Sequence, residues 1–189
     1  MDAYLTGILQ QFRYYKMLGE KAIAQVSDQH LFWQPTSESN SIAIIVAHLR
    51  GNMLSRWTNF LNSDGEKEGR NRDAEFEPFL YPKRQTVEQY WNEGWQCLFV
   101  ALETLQTDDL NKIVYIRNMG HTVVEAINRQ LAHYAYHIGQ IVLLAKIEAN
   151  DQWQSLSIPK GSSKAYNQTK FDQQQHREHF TEGFLNNKE

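Results

Sequence analysis

From Thr122 to Asn150 the chain reads TVVEAINRQLAHYAYHIGQIVLLAKIEAN, with Ile127, Leu131, Tyr134, Ile138, Ile141 and Ala145 recurring at intervals of three and four. A stripe of that period over so many residues belongs to a long amphipathic helix with one side pressed on a core. Thr122 and Glu125 form the capping box that opens it. His133 and His137, four residues apart, share a helix face. At about 100° per residue, from about 3.6 residues per turn, both fall on one shoulder of the stripe. Two imidazoles flanking a buried seam are half of a possible metal site.

Three further segments carry the same pattern. Asp2 is a candidate N-cap for a first helix with Leu5, Ile8, Leu9, Phe12 and Tyr15 inward, continuing less regularly from Ile23 to Val26 before Phe32, Trp33, Gln34 and Pro35 break the period. Ser39, Asn40 and Ser41 supply cap-type side chains for a second helix whose stripe runs through Ile42, Ile45, Val46, Leu49, Met53, Trp57 and Phe60, ending near Ser63, Asp64 and Gly65. His48 and Asn52 lie on a shoulder of that stripe, about 100° or more from its centre. Thr86 and Gln89 fit a capping box for a third helix, with Val87, Tyr90, Trp91, Leu98, Ala101, Leu102 and Leu105 inward and a stop near Thr107 and Asp108.

Between the second and third helices, DGEKEGRNRDAEFEPFLYPKRQ spans residues 64–85 with little periodicity, longer than most connections inside a compact domain. An extended residue covers about 3.3 Å and a helical one about 1.5 Å, so this loop can run the length of a bundle and leave the helices on either side parallel. Ile113 to Ile116 predicts an isolated extended segment before a turn at Asn118, Met119 and Gly120. The sequence therefore predicts an all-α four-helix bundle with one long crossover, a single domain over residues 1–189 carrying a polar C-terminal extension from about residue 151. In that extension Trp153 is the anchor and residues 159–164 form a turn.

Composition narrows the function classes. A formal net charge of −3 and the lack of a long basic run argue against a nucleic-acid binder. No secretory pattern opens the sequence and no apolar run is long enough to span a bilayer, so the expectation is a cytoplasmic protein that does not engage membranes. With Cys97 the one cysteine, a metal must be held by His and carboxylate. Cys97 itself reads as an inert thiol near an apolar face. His48, His133 and His137 occupy equivalent shoulders where bundle helices face one another, giving three nitrogen ligands and leaving a position for water or substrate. The competing reading makes them flank residues satisfied by other polar groups. His30 and His121 sit at helix boundaries as surface or capping residues, and His176 and His179 are a chance pair in the polar tail. Asn52, Gln130 and Gln140 lie near the histidine shoulders as supporting groups; no residue stands out as a general base.

NSIAIIVAHLRGNMLSRW around His48, the loop DGEKEGRNRDAEFE, the helix RQLAHYAYHIGQIVLLAK and the tail SIPKGSSKAYN together resemble the DinB-like superfamily, in its small uncharacterised bacterial subfamilies. The resemblance implies a four-helix bundle of up-down-down-up connectivity, a homodimer, and a zinc or nickel ion on three histidines matching His48, His133 and His137. It also implies, on the example of some relatives, a metal-dependent transferase that joins a low-molecular-weight thiol to an electrophilic or toxic small-molecule substrate. The alternatives are a metal-assisted hydrolase or isomerase, and a noncatalytic stress-related module whose metal braces the bundle.

Overall fold

A computed structural model describes residues 3–186. The chain is predominantly helical, with one two-stranded hairpin among the described residues. Four long helices dominate: α1 (Ala3–Ile23), α3 (Ile42–Trp57), α4 (Arg84–Glu103) and α5 (Val123–Ala149), with the short α2 (Asp28–Leu31) between the first two. The hairpin strands β1 (Ile113–Ile116) and β2 (Met119–Thr122) precede α5, and α6 (Ser163–Phe171) and α7 (Glu182–Leu185) follow it. No helix among the described residues is long and apolar enough to cross a membrane.

Two of the expected caps are in place: Ser41 Oγ accepts from the Ile44 backbone N–H, and Thr122 and Glu125 bond reciprocally at the start of α5. Asp2 lies outside the described residues. The box expected at Thr86 and Gln89 does not form, because α4 begins at Arg84, with Thr86 inside its first turn. The guanidinium of Arg84 reaches the carbonyls of Ile23 and Val26 and the carboxylate of Asp28. That tie to the end of α1 fixes the start of α4 where no side-chain cap does.

The second long helix stops at Trp57, short of the expected Ser63 to Gly65. Asn59 takes a left-handed conformation with φ of 49°, which an Asn tolerates better than most residues. Phe60 still reaches the core from this turn, its ring 4.9 Å from that of Trp57, which is why it fits the helical stripe without being helical. The extended segment at Ile113 is also not isolated. It pairs with β2 through Ile116↔Met119, and the two linking residues, Arg117 and Asn118, both have positive φ, as a type I′ hairpin turn demands. Met119 and Gly120, expected in the turn, belong to the strand.

Contacts along the long helices give their relative directions. Going up α1, Tyr4 bonds Asn128 (2.8 Å), Phe12 packs on Tyr134 and Gly19 lies beside Ile138, so α1 and α5 advance together. Arg50 with Glu93, Met53 beside Gly94 and Thr58 near Cys97 make the same statement for α3 and α4. In contrast, α1 and α4 advance in opposite directions, with Phe12 on Trp95 and Arg13 bonded to Glu103 (2.9 Å), while Gly19 meets Trp91.

At the centre, one aromatic ring from each long helix meets the others: Phe12, Trp57, Trp95 and Tyr134. All four are buried. The Tyr134 hydroxyl donates to Asn52 Oδ1 (3.0 Å) and accepts from Trp57 Nε1 (3.0 Å), so its one polar atom is satisfied within an otherwise apolar layer. Replacing Tyr134 with Phe keeps the ring but strands both partners. The expected outcome is a loss of about 1–3 kcal/mol in denaturant unfolding, from two unpaired buried groups. An unchanged midpoint would show the bonds to be incidental.

Candidate metal centre

His48 lies on α3; His133 and His137 lie one turn apart on α5. With Tyr134 turned into the core, the residue before it and the one three later face α3. The His133 Nε2 atom is 3.3 Å from Nε2 of His48 and 3.1 Å from Nε2 of His137. The ring planes are steeply inclined, by 80°, 63° and 77°, so edges rather than faces converge. An ion about 2.0–2.1 Å from each nitrogen in a tetrahedral shell needs those nitrogens roughly 3.3 Å apart. The donor set therefore fits a divalent ion, and the sequence-derived trio is brought together as a group that could hold one.

The far nitrogens of two rings are occupied. His48 Nδ1–H donates to Glu75 Oε2 (2.9 Å) and His137 Nδ1 bonds Gln140 Oε1 (2.8 Å). Each bond to an acceptor puts the proton on Nδ1 and turns the lone pair of Nε2 inward, the arrangement a metal-ligating imidazole requires. Glu75 is itself gripped by Arg70, Nε to Oε1 at 2.7 Å and Nη2 to Oε2 at 2.8 Å, a two-pronged charge-assisted pair. Both side chains are almost wholly buried. Phe76, next to Glu75 in the turn Asp73–Phe76, lies 4.7 Å from the His48 ring. Gly51 makes room for this turn, since a Cβ there would overlap the Glu75 carboxylate.

Sequence reasoning did not find Glu75 or Arg70. The loop over residues 64–85 carries six carboxylates, Asp64, Glu66, Glu68, Asp73, Glu75 and Glu77, and aperiodic spacing does not choose among them. The general need of a ligating histidine for an acceptor behind it is the signal that pointed into this loop. Of the three supporting groups expected, Gln140 bonds His137, Asn52 serves Tyr134, and Gln130 lines the cavity with a buried Oε1 that has no partner. His30 bonds Ser27 and pairs with Glu148, His121 bonds Arg129, and His179 bonds Thr181. Cys97 is half-buried between α3 and α4 beside Thr58.

Burial pushes the His133 imidazole down to about 3, with His137 and His48 adding to the effect. Burial likewise takes His137 down to about 4, against the Gln140 hydrogen bond. Burial alone would raise the Glu75 carboxyl, but hydrogen bonds from His48 and Arg70, with the Arg70 charge, hold it below the usual range. At neutral pH His133 and His137 are thus uncharged, beside a His48 ring backed by a carboxylate. The nitrogens of the cluster open onto a cavity of about 490 Å³, within the range of small-molecule sites.

These features define a helical protein with a buried three-histidine group able to take a metal ion. The chain matches over residues 1–162 the family described as "Protein of unknown function (DUF1572)", and it belongs to that family. The match takes in every residue of the histidine cluster and its supports and ends just before α6. No curated protein and no solved structure matches the chain.

Glu75→Ala is expected to weaken metal binding about 10–100-fold, the usual cost of losing the group behind a ligand, and Gly51→Ala should move affinity the same way. Competition against a chromogenic chelator measures both; unchanged affinity in the two variants would remove Glu75 from the centre. In metal-free protein, unfolded imidazoles take up protons below about 6.5, whereas His133 and His137 resist to about 3 and about 4. The unfolded chain then binds more protons across that window, so stability falls as pH drops from about 6.5 towards 4. The denaturant midpoint should show this slope, and His133→Gln/His137→Gln should flatten it.

Proposed function

We propose that this protein is a divalent-metal-binding enzyme of the DinB-like type, a cytoplasmic homodimer that transfers a low-molecular-weight thiol to an electrophilic small molecule. The observation that carries the proposal is the approach of three imidazole Nε2 atoms at the floor of an open cavity. The helix directions support the same reading. Contacts that run α1 with α5, α3 with α4 and α1 against α4 support the up-down-down-up four-helix bundle that the resemblance implies.

His48, His133 and His137 would hold a zinc or nickel ion, which when bound supplies positive charge that favours a thiolate over a thiol. Glu75 and Gln140 keep the ring nitrogens of His48 and His137 aimed inward. Arg70 keeps Glu75 in place and neutralises its charge. The cavity wall carries no carboxylate among the described residues, and both oxygens of Glu75 already accept hydrogen bonds. A reaction that depends on a strong carboxylate base has little to work with here. A thiol, ionising by itself near pH 8.5, needs only a favourable charge environment, which is why the thiol reading is preferred to hydrolysis.

Protein purified without an affinity tag is expected to carry close to one divalent ion per chain by elemental analysis, and alanine at any of the three histidines should remove most of it. Metal that survives all three replacements would eliminate the site. A screen that follows thiol consumption across several thiols and electrophiles is expected to show metal-dependent turnover lost in the same variants. Turnover without added thiol would favour a hydrolase or isomerase instead.

A further inference from the structure

The cavity has a second chemical character that three imidazoles do not account for. Five guanidiniums line it, those of Arg56, Arg70, Arg72, Arg117 and Arg129, in a chain whose formal net charge is −3. Two carboxylates stand behind them: Glu66 is shared by Arg56, Arg70 and Arg117, and Glu75 is held by Arg70. With the exposed Asp73 beside Arg72 counted as well, five positive charges face the three acids that pair with them, an excess of two. Arg72 lies over the Phe76 ring at 4.9 Å, with only the fully exposed Asp73 within 4.0 Å. Arg129 bonds a histidine rather than an acid.

Gln130 adds an independent observation. It lies on the same face of α5 as His133 and His137, lines the cavity and is only 4% exposed, yet its Oε1 has no hydrogen-bond partner. A buried acceptor left unpaired is uncommon and needs an explanation. A ligand with an N–H or O–H beside its anionic group would supply the missing donor.

We infer that the cavity is a binding site for a small oxyanion-bearing molecule, whose anionic group is held at the mouth by Arg72, Arg117 and Arg129 and whose donor meets Gln130 Oε1. Guanidinium forks match carboxylates and phosphates alike, so the shared chemistry is the oxyanion. The inference rests on the reading of the histidine group as the reactive centre, because it states which molecules are drawn to it, but the binding step itself requires no metal.

Calorimetric titration at about 0.15 M salt, where long-range surface attraction is damped, tests this on metal-loaded and on chelator-treated protein. The probes are glutathione, its neutral diethyl ester and glycerol phosphate. Saturable one-to-one binding of glutathione or glycerol phosphate is expected, and whichever binds tighter identifies the oxyanion as carboxylate or phosphate. The ester should bind at least tenfold more weakly than glutathione if the carboxylate is recognised. Arg72→Gln/Arg129→Gln, two exposed positions whose replacement leaves the core intact, should weaken the favoured probe at least tenfold at unchanged metal content. Gln130→Met should also weaken that probe. Absence of saturable binding by either anion, or equal binding in the arginine variant, overturns the inference. Protein that carries no divalent ion as purified, yet binds the anion, would instead sink the metal reading and leave this one standing.

Discussion

The hydroxyl of Tyr134 sets the rotational phase of α5. Its two hydrogen bonds, to Asn52 and from Trp57, join α5 to α3 at a depth where neither partner has water to fall back on. Apolar packing alone tolerates some rotation of one helix on another, since the hydrophobic effect has no direction. A buried, fully satisfied polar knot does not, because turning α5 would strand three polar atoms together. His133 is the adjacent residue and His137 follows one turn later, so the same constraint aims both at His48. The site is in this sense a by-product of how the core is registered.

The loop between α3 and α4 completes what the helices begin. Its first residues are tied to the hairpin: Asp64 accepts from the backbone N–H groups of Arg117 and Asn118, and Gly65 N–H donates to the Tyr115 carbonyl. Ser55 and Arg56 of α3 both bond the carbonyl of Gly65. Pinned at this end, the loop carries Glu66, Arg70 and Glu75 across α3 to the back of His48. A crossover that could have been a mere spacer is therefore the source of the groups that orient His48 and of much of the cavity's positive charge.

Much of this was legible in the residues. Helical periodicity located α1, α3, α4 and α5, and the shoulder positions of His48, His133 and His137 anticipated their convergence. Period and cap chemistry are local properties, and local properties can be read from spacing. The misses have a common cause. The early end of α3 at Trp57, the start of α4 at Arg84 and the pairing of β1 with β2 each depend on a partner distant in sequence or on a left-handed residue that periodicity does not register. Glu75 was invisible for the same reason, one carboxylate among six until the fold selects it.

The burial of the histidine group also explains why its chemistry depends on the loop. Three imidazole Nε2 atoms face one another, while the Nδ1 atoms of His48 and His137 are committed to Glu75 and Gln140. Burial suppresses protonation of His133 and His137, and a charge on a neighbouring ring disfavours it further. A divalent ion would relieve that crowding in a way that a proton cannot, by accepting all three lone pairs. The carboxylate behind His48 would strengthen that ring as a metal donor, and Arg70 bonds both of the carboxylate's oxygens and holds it in place. Fold and loop thus bring three imidazoles together as a group that could hold an ion, beside a cavity lined by five guanidiniums.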